Sequence, residues 1–468
     1  MQISRSVAPH EPGTAGPTYA DFHGERAATG PLTWGQRAMW RSVAEFEAQE
    51  TFLNLRRILA VSQRANADVP TASRAIGALV SRHESLRTRV EVVDGQLRQV
   101  AAPTGRLPLL VDAVEKADAD PDGRAAAQAL AERLGQPRFD HAGEWPLRVA
   151  LVTVDDRVRQ IVIVFSHSTV DFYAVEIILR DLRMLLLRGT LTTAPGLQSV
   201  AVARREQQIE QRRSERAIAY WRRRFQPPPP GMLTTAGPAL TPRYRKGSLV
   251  SAAIDTATRL IAARHRVSTS TVLLAAIGAV STVRSGEPGC GIVTMANNRF
   301  QPEYDNAITK LNQIGFCALD LADRPTFSEL LARTRQASLD GYRHAYYDPA
   351  AIQRALAEVG LDFGTMLAPY CYFNDIRLPH EPGTTTTGPD EATVRAMSAG
   401  TTFTWTELFD RFAWRCRIQV VDVPGAVELV ITTDTRYLPP DQAESFLFGI
   451  EELLVEAAFR EVPWPMLG

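Results

Sequence analysis

Apolar residues along this chain switch repeatedly between a helical and a strand period. Ile76, Leu79 and Val80 share one face of an expected helix over residues 71–83. Residues 53–61 read as a strand. Residues 90–93 and 96–100 read as a hairpin closed by Asp94-Gly95, a pair that tolerates the left-handed backbone of a two-residue turn. A helix over 125–134 precedes strands at 147–155 and 159–165, and the run from Phe172 to Arg188 is again helical in spacing. Thr33 is placed to cap a first helix running through Met39 and Phe46. Residues 1–30, rich in Gly, Pro, Ala and charge, read as a mobile tail.

A charged helix is expected over 200–225, followed by four consecutive prolines, Pro227 to Pro230, which end any helix and favour a stiff extended linker. Beyond it the same texture returns. Strands are expected at 247–254, 291–295, 370–376, 402–409, 413–422 and 427–433, with helices at 256–263, 269–282, 326–342, 349–357 and 440–459. Residues 379–390, with four consecutive threonines, read as a loop. Mixed strands and helices on both sides of the prolines predict an α/β protein of two similar lobes. The expected division is a tail over 1–30, one lobe over 31–195, a connecting helix and proline-rich linker over 196–245, and a second lobe over 246–468.

Composition narrows the function classes. A length of 468 residues favours two domains, and 45% hydrophobic with 22% charged residues is the balance of a soluble globular protein. Lys plus Arg and Asp plus Glu both number 52, so net charge points to neither nucleic acid nor an acidic membrane. Lysine occurs only at Lys116, Lys246 and Lys310. The arginine-rich stretch 204–224 is interleaved with Glu206, Glu210 and Glu215, as on a solvated helix face held by i,i+4 pairs. Cys290, Cys317, Cys371 and Cys416 are scattered without metal-ligand spacing, so free thiols are expected and neither a metal site nor a disulfide framework. There is no signal-peptide pattern and no apolar run of membrane-spanning length, which predicts a cytoplasmic location. No P-loop or nucleophile-elbow motif occurs.

The candidate chemistry sits at Ser166-His167-Ser168-Thr169-Val170-Asp171, between the apolar run 160–165 and the helix from Phe172. A histidine at the tip of a strand-to-helix elbow presents the one side chain that takes and returns a proton near neutrality. Asp171 is placed to cap the following helix.

Seven segments in order resemble the condensation-domain superfamily of nonribosomal peptide synthesis. Leu32 to Trp40 is similar to its opening helix, and Arg82-His83-Glu84-Ser85-Leu86-Arg87-Thr88 is similar to its RHExLRT motif. Ser166 to Phe172 stands in the place of HHxxxDG, and Tyr220-Trp221 resembles a YW pair. Asn298-Arg299 stands where the family has GR, Ile314 to Leu319 resembles IGFFVNTL, and Phe373-Asn374 resembles the FN strand. The resemblance implies two chloramphenicol-acetyltransferase-like lobes forming a V around a tunnel. It also implies a phosphopantetheine thioester delivered by an acyl or peptidyl carrier protein, with no bound cofactor or metal. With no adenylation signature and no room for a carrier domain, a freestanding protein is expected, monomeric and engaging neither nucleic acid nor membrane.

On the same resemblance, His167 is the general base or orienting residue for an amine or hydroxyl attacking the thioester. Asp171 is largely structural, with Arg299 as its partner, and Ser166 replaces the first motif histidine while still able to bond locally. The amides opening the next helix would favour an oxyanion. Phe172 replaces the motif glycine and either narrows the channel or turns into the core. Asn374 either lines the tunnel and donates to the acyl carbonyl or is a structural strand amide. His344, within a segment similar to HQDxPFE, is structural. Three functions follow: an amide- or ester-forming acyltransferase, a catalytically silent scaffold binding carrier-bound peptide or recruiting tailoring enzymes, and a polyketide or lipid hydroxyl acyltransferase.

Overall fold

The strand-period segments of the first half build a five-stranded mixed sheet in the computed structural model, which describes residues 17–45, 54–116, 120–377 and 388–466. Its order is β1 (Thr18–His23), β6 (Thr104–Ala113), β7 (Leu147–Val154), β8 (Arg157–Ser166) and β3 (Asn54–Ala60). A smaller sheet runs β2 (Ala28–Pro31), β5 (Gln96–Ala101), β4 (Thr88–Val93). Helices α2 (Val69–Arg82) and α4 (Phe172–Arg188) cover one face of the larger sheet, meeting Ile161, Ile163 and Phe165 of β8. Helix α3 (Arg124–Gly135) covers the other face, meeting Val162. Burial on both faces explains why β8 is a continuous apolar run and not an alternating one. The Asp94-Gly95 turn has φ of 51° and 72°, the left-handed pair its sequence predicts. Helix α2 lies so close to β1 that a Cβ on Gly77 would stand 2.2 Å from the Asp21 carbonyl oxygen.

These elements belong to a first unit made of Met1–Leu32, Glu50–Val202 and Gln301–Lys310. The second comprises Thr33–Gln49, Ala203–Phe300 and Leu311–Gly468. The chain therefore exchanges two short segments, where contiguous lobes were expected. The second unit holds a seven-stranded sheet in the order β11 (Gln313–Asp320), β10 (Gly289–Ala296), β12 (Cys371–Asp375), β14 (Cys416–Val423), β15 (Ala426–Asp434), β9 (Tyr244–Ser251), β13 (Thr402–Phe409). Helices α7 (Ala252–His265), α8 (Thr269–Ser285), α9 (Phe327–Arg343) and α12 (Pro440–Ala457) enclose its core.

Several expectations change. Residues 17–31, read as tail, supply two strands, because Ala20 and Phe22 are buried while Asp21 and His23 point out; that alternation is too short to stand out in a polar segment. The expected helix 200–225 is two, α5 (Ser199–Gln208) and α6 (Gln211–Arg224). The strand expected to reach 254 stops at Ser251, whose hydroxyl caps α7 at Ile254 N. Helix α1 (Trp34–Glu45) is present, and Phe46 lies outside the described residues. Of the expected loop 379–390, residues 379–387 lie outside them too; α11 (Glu391–Ser398) follows, capped by Asp390. The four cysteines are buried thiols, with the sulfurs of Cys371 and Cys416 3.7 Å apart on neighbouring strands. Among the described residues no single helix is long and apolar enough to cross a membrane; α7 and α8 reach that length only as a pair bent by 107°.

Glu206 is a buried carboxyl in the second unit, accepting from Trp34 N and Tyr346 Oη, each at 2.7 Å. Burial pushes its pKa up to about 8, against the lowering effect of those two donors and Arg37. The folded state thus keeps a proton that the unfolded chain releases near 4.5, so the stability this group contributes is fully present below that pH and is lost as pH rises towards 8. The slope contributed is about 1.4 kcal/mol per pH unit. Glu206→Gln is expected to flatten this dependence, gaining on the native protein at pH 8 relative to pH 5 in denaturant titrations; parallel curves for the two proteins would refute it.

Candidate active site

Strand β8 ends at Ser166, which pairs with Asn54 of β3 and donates its amide to the Pro146 carbonyl at 2.9 Å. The chain then turns tightly: Thr169 N and Val170 N both bond back to the Ser166 carbonyl, at 3.0 and 3.4 Å. Helix α4 starts immediately, with Asp171 accepting from Ala174 N at 2.9 Å. Asp171 is therefore a helix cap, and it occupies one of the amides considered available to an oxyanion; the cap is not its only interaction.

His167 projects from this turn half-buried, between Ser166 and Ser168, which are both buried. Its Nδ1 lies 2.8 Å from the Val170 carbonyl oxygen, which accepts only a proton, so Nδ1 carries the hydrogen and Nε2 the lone pair. Phe172 stands edge-on to the ring at 5.4 Å between centroids, with the Arg57 guanidinium 5.3 Å from the Phe172 ring centre. Arg57 is paired with Glu176 at 3.5 Å. Phe172 is half-buried against the first unit's core, so it neither points freely outward nor disappears inward.

The ring is held strongly neutral. Burial pushes the His167 pKa down to about 3, Lys310 and Arg57 push the same way, and the Val170 carbonyl and Asp171 oppose them. The sequence marks Lys310 only as one of three lysines and gives it no place at the site; its burial comes from the fold. It arrives on the 301–310 segment, which is anchored in the first unit by Ile308 in the core, by Ser85 Oγ donating to the Ile308 carbonyl, and by Thr309 Oγ1 2.9 Å from Ser199 Oγ. Lys310→Met is expected to raise the His167 pKa, read by histidine-selective NMR titration. An unmoved titration would remove Lys310 from the site.

The other motifs are mostly scaffolding. His83 Nε2 meets Asp181 Oδ2 at 3.1 Å, Glu84 Oε1 accepts from Val200 N at 2.9 Å, and Arg87 Nη1 donates to the Arg26 and Ala102 carbonyls. In the second unit, Trp221 Nε1 donates to the His344 carbonyl at 3.0 Å and the His344 ring stacks on Tyr220 at 4.2 Å. Asn298, where the family has glycine, adopts φ of 57°, a left-handed conformation asparagine tolerates. Its side chain donates to the Leu311 and Ala345 carbonyls. Arg299 follows, buried, with Nη1 donating to the Asn297 carbonyl at 3.2 Å. Asn374 is half-buried on β12 beside Gln419 of β14. The geometry so brings His167, Ser166, Asp171 and Phe172 together in one unit and carries Arg299 and Asn374 on the other. Among the described residues no three His, Cys, Asp or Glu side chains are grouped to hold a metal ion.

Two mixed α/β lobes with a histidine elbow closing an inner strand define a protein of the chloramphenicol-acetyltransferase-like fold. More narrowly, the chain belongs to the condensation-domain family, whose sequence model matches residues 27–369. It is 28% identical over 336 residues to the isonitrile lipopeptide synthase of Mycobacterium tuberculosis, covering 68% of this chain and 13% of that one. It is 27% identical over 333 residues to the phosphinothricin tripeptide synthetase PhsC of Streptomyces viridochromogenes, covering 66% and 29%. The chain thus spans less than a third of either relative. In fold it is similar to the SgcC5 protein of Streptomyces globisporus, with a TM-score of 0.67, 19% identity and coverage of 92% and 98%. It is also similar to a condensation domain that mediates chain release from the enacyloxin polyketide synthase, with a TM-score of 0.70, 17% identity and coverage of 93% and 83%. The family forms amide and ester bonds in natural-product biosynthesis, and its synthetase members work on carrier-bound phosphopantetheine thioesters.

Proposed function

We propose that this protein transfers an acyl group from a carrier-bound phosphopantetheine thioester to an amine or hydroxyl, acting in trans as a freestanding acyltransferase. The observation that carries the reading is His167, partly accessible and with its tautomer set by the Val170 carbonyl so that Nε2 is an acceptor. The nucleophile's hydrogen bonds to Nε2 while its lone pair attacks the thioester carbonyl. A carbon–nitrogen or carbon–oxygen bond forms, the carbon–sulfur bond breaks, and the proton passes through the imidazole to the departing thiolate. With an imidazole held at about 3, the ring orients the nucleophile first and takes the proton only as the new bond forms.

Ser166 and Asp171 support the elbow, Phe172 borders the ring, and Arg299 and Asn374 keep the supporting and lining roles that the resemblance implies. Polyketide acyl donors are proposed beside peptidyl ones, supported by the likeness in fold to the condensation domain that mediates chain release from the enacyloxin polyketide synthase. Phe172 against His167 is the one observation that favours the silent-scaffold reading. A panel of acyl carrier-protein and acyl-pantetheine thioesters, offered with amine and alcohol acceptors and read by mass spectrometry, separates the two. Product with release of free thiol supports acyl transfer; binding of the carriers without turnover of any pair supports the scaffold.

A further inference from the structure

Ser166 and Ser168 flank His167, and their hydroxyls lie 2.7 Å apart, closing a small ring across the residue between them. Ser168 Oγ is also 3.3 Å from Nδ1 of His141, a residue outside every motif that identifies the family. Ser166 and Ser168 are only 2% and 3% exposed, which leaves no room for either to act as a nucleophile on a substrate. Burial lowers the His141 pKa, which leaves its Nδ1 able to accept. One direction of donation then satisfies all three groups: Ser166 Oγ–H to Ser168 Oγ, and Ser168 Oγ–H to His141 Nδ1.

His141 is itself presented by a braced turn. Asp140 Oδ1 accepts from Ala142 N and Gly143 N, at 3.2 and 3.0 Å. Arg148 pairs with Glu144 at 2.7 Å and donates to the carbonyls of Leu134, Pro137 and Arg138. The His141 carbonyl accepts from Val90 N at 2.9 Å, which ties the turn to β4. The chain of bonds therefore runs from a rigid turn to both neighbours of the elbow histidine.

We propose that His141 is a positioning residue for the acyl-transfer site, bracing through Ser168 and Ser166 the tight turn whose Val170 carbonyl fixes the His167 ring. The inference rests on His167 being the working residue, and it is tested without turnover so that the two ideas fail separately. The whole protein with 15N-labelled histidine is compared with His141→Leu, Ser168→Ala and His141→Asn, whose amide oxygen takes the place of Nδ1. Long-range 15N–1H spectra read the tautomer of His167, and thermal midpoints check the fold. The first two variants are expected to replace the single Nδ1–H pattern with averaged nitrogen shifts, and His141→Asn to retain it. If His141→Leu does not fold, Ser168→Ala decides. A His167 pattern unchanged in folded Ser168→Ala would overturn the proposal, whatever the thioester panel shows.

Discussion

His167→Ala lowers the rate of acyl transfer by about 10²–10⁴-fold, the usual contribution of a positioned acid–base group. The expectation is large because the charged side chains described beside the ring are engaged elsewhere. Asp171 points its carboxylate at Ala174 N, and Arg57 is engaged with Glu176 and Phe172. Residual turnover would come from holding donor and acceptor together. The fold should survive, since a half-buried ring is removed from an elbow whose backbone bonds run through Ser166, Thr169 and Val170. Single-turnover rates on a thioester and acceptor that react with the native protein, alongside thermal midpoints, check both halves. Full activity in the alanine variant would leave positioning as the whole of the chemistry.

The second large effect falls away from the chemistry. Asp181→Ala destabilises the protein by about 3 kcal/mol, in the range for breaking a buried ionic network by removing one partner. Asp181, 3% exposed, lies 3.1 Å from His83 Nε2, 3.0 Å from Arg180 Nη2 and 3.5 Å from Arg82 Nε. Burial works to raise its pKa, but the hydrogen bonds from His83 and Arg180 outweigh it and hold the carboxylate below its ordinary value. This stabilisation is present at neutral pH and disappears as the carboxylate protonates on acidification. Without it, a neutral buried His83 keeps a donor and no acceptor. Denaturant titration of Asp181→Ala reads the loss. A His83→Leu, Asp181→Leu double variant should recover part of it, since the His83 donor goes with its acceptor while Arg82 and Arg180 still reach the Thr193 carbonyl and Asn306 Oδ1.

What was legible in the sequence follows the range of the forces involved. The helices α2 and α4, the Asp94-Gly95 turn and the elbow at His167 are local patterns, and each forms where the spacing and the turn residues place it. Strand β1 was missed because only Ala20 and Phe22 carry its inward face, and its partner β6 lies more than eighty residues on. The motif 82–88 was legible as a family mark but not as a hub, since its partners Asp181, Gln198, Val200 and Ile308 are remote. The site shows the same division. His167, Ser166 and Asp171 are contiguous and were found. His141 and Lys310 reach the elbow only through the fold, and neither lies at a motif position. Phe172 could be seen as a departure, but its edge-on packing to the imidazole depends on backbone geometry that composition does not carry.

The central claim is a neutral, fixed imidazole that guides acyl transfer, and its most direct test is the pH dependence of kcat/KM with an alcohol acceptor that does not itself titrate. With the His167 pKa pushed down to about 3, the rate should stay level from about pH 8 down to about pH 5, the imidazole remaining in its accepting form throughout. A one-proton acid limb near the ordinary imidazole value of about 6.5, moved by Lys310→Met, would contradict the account.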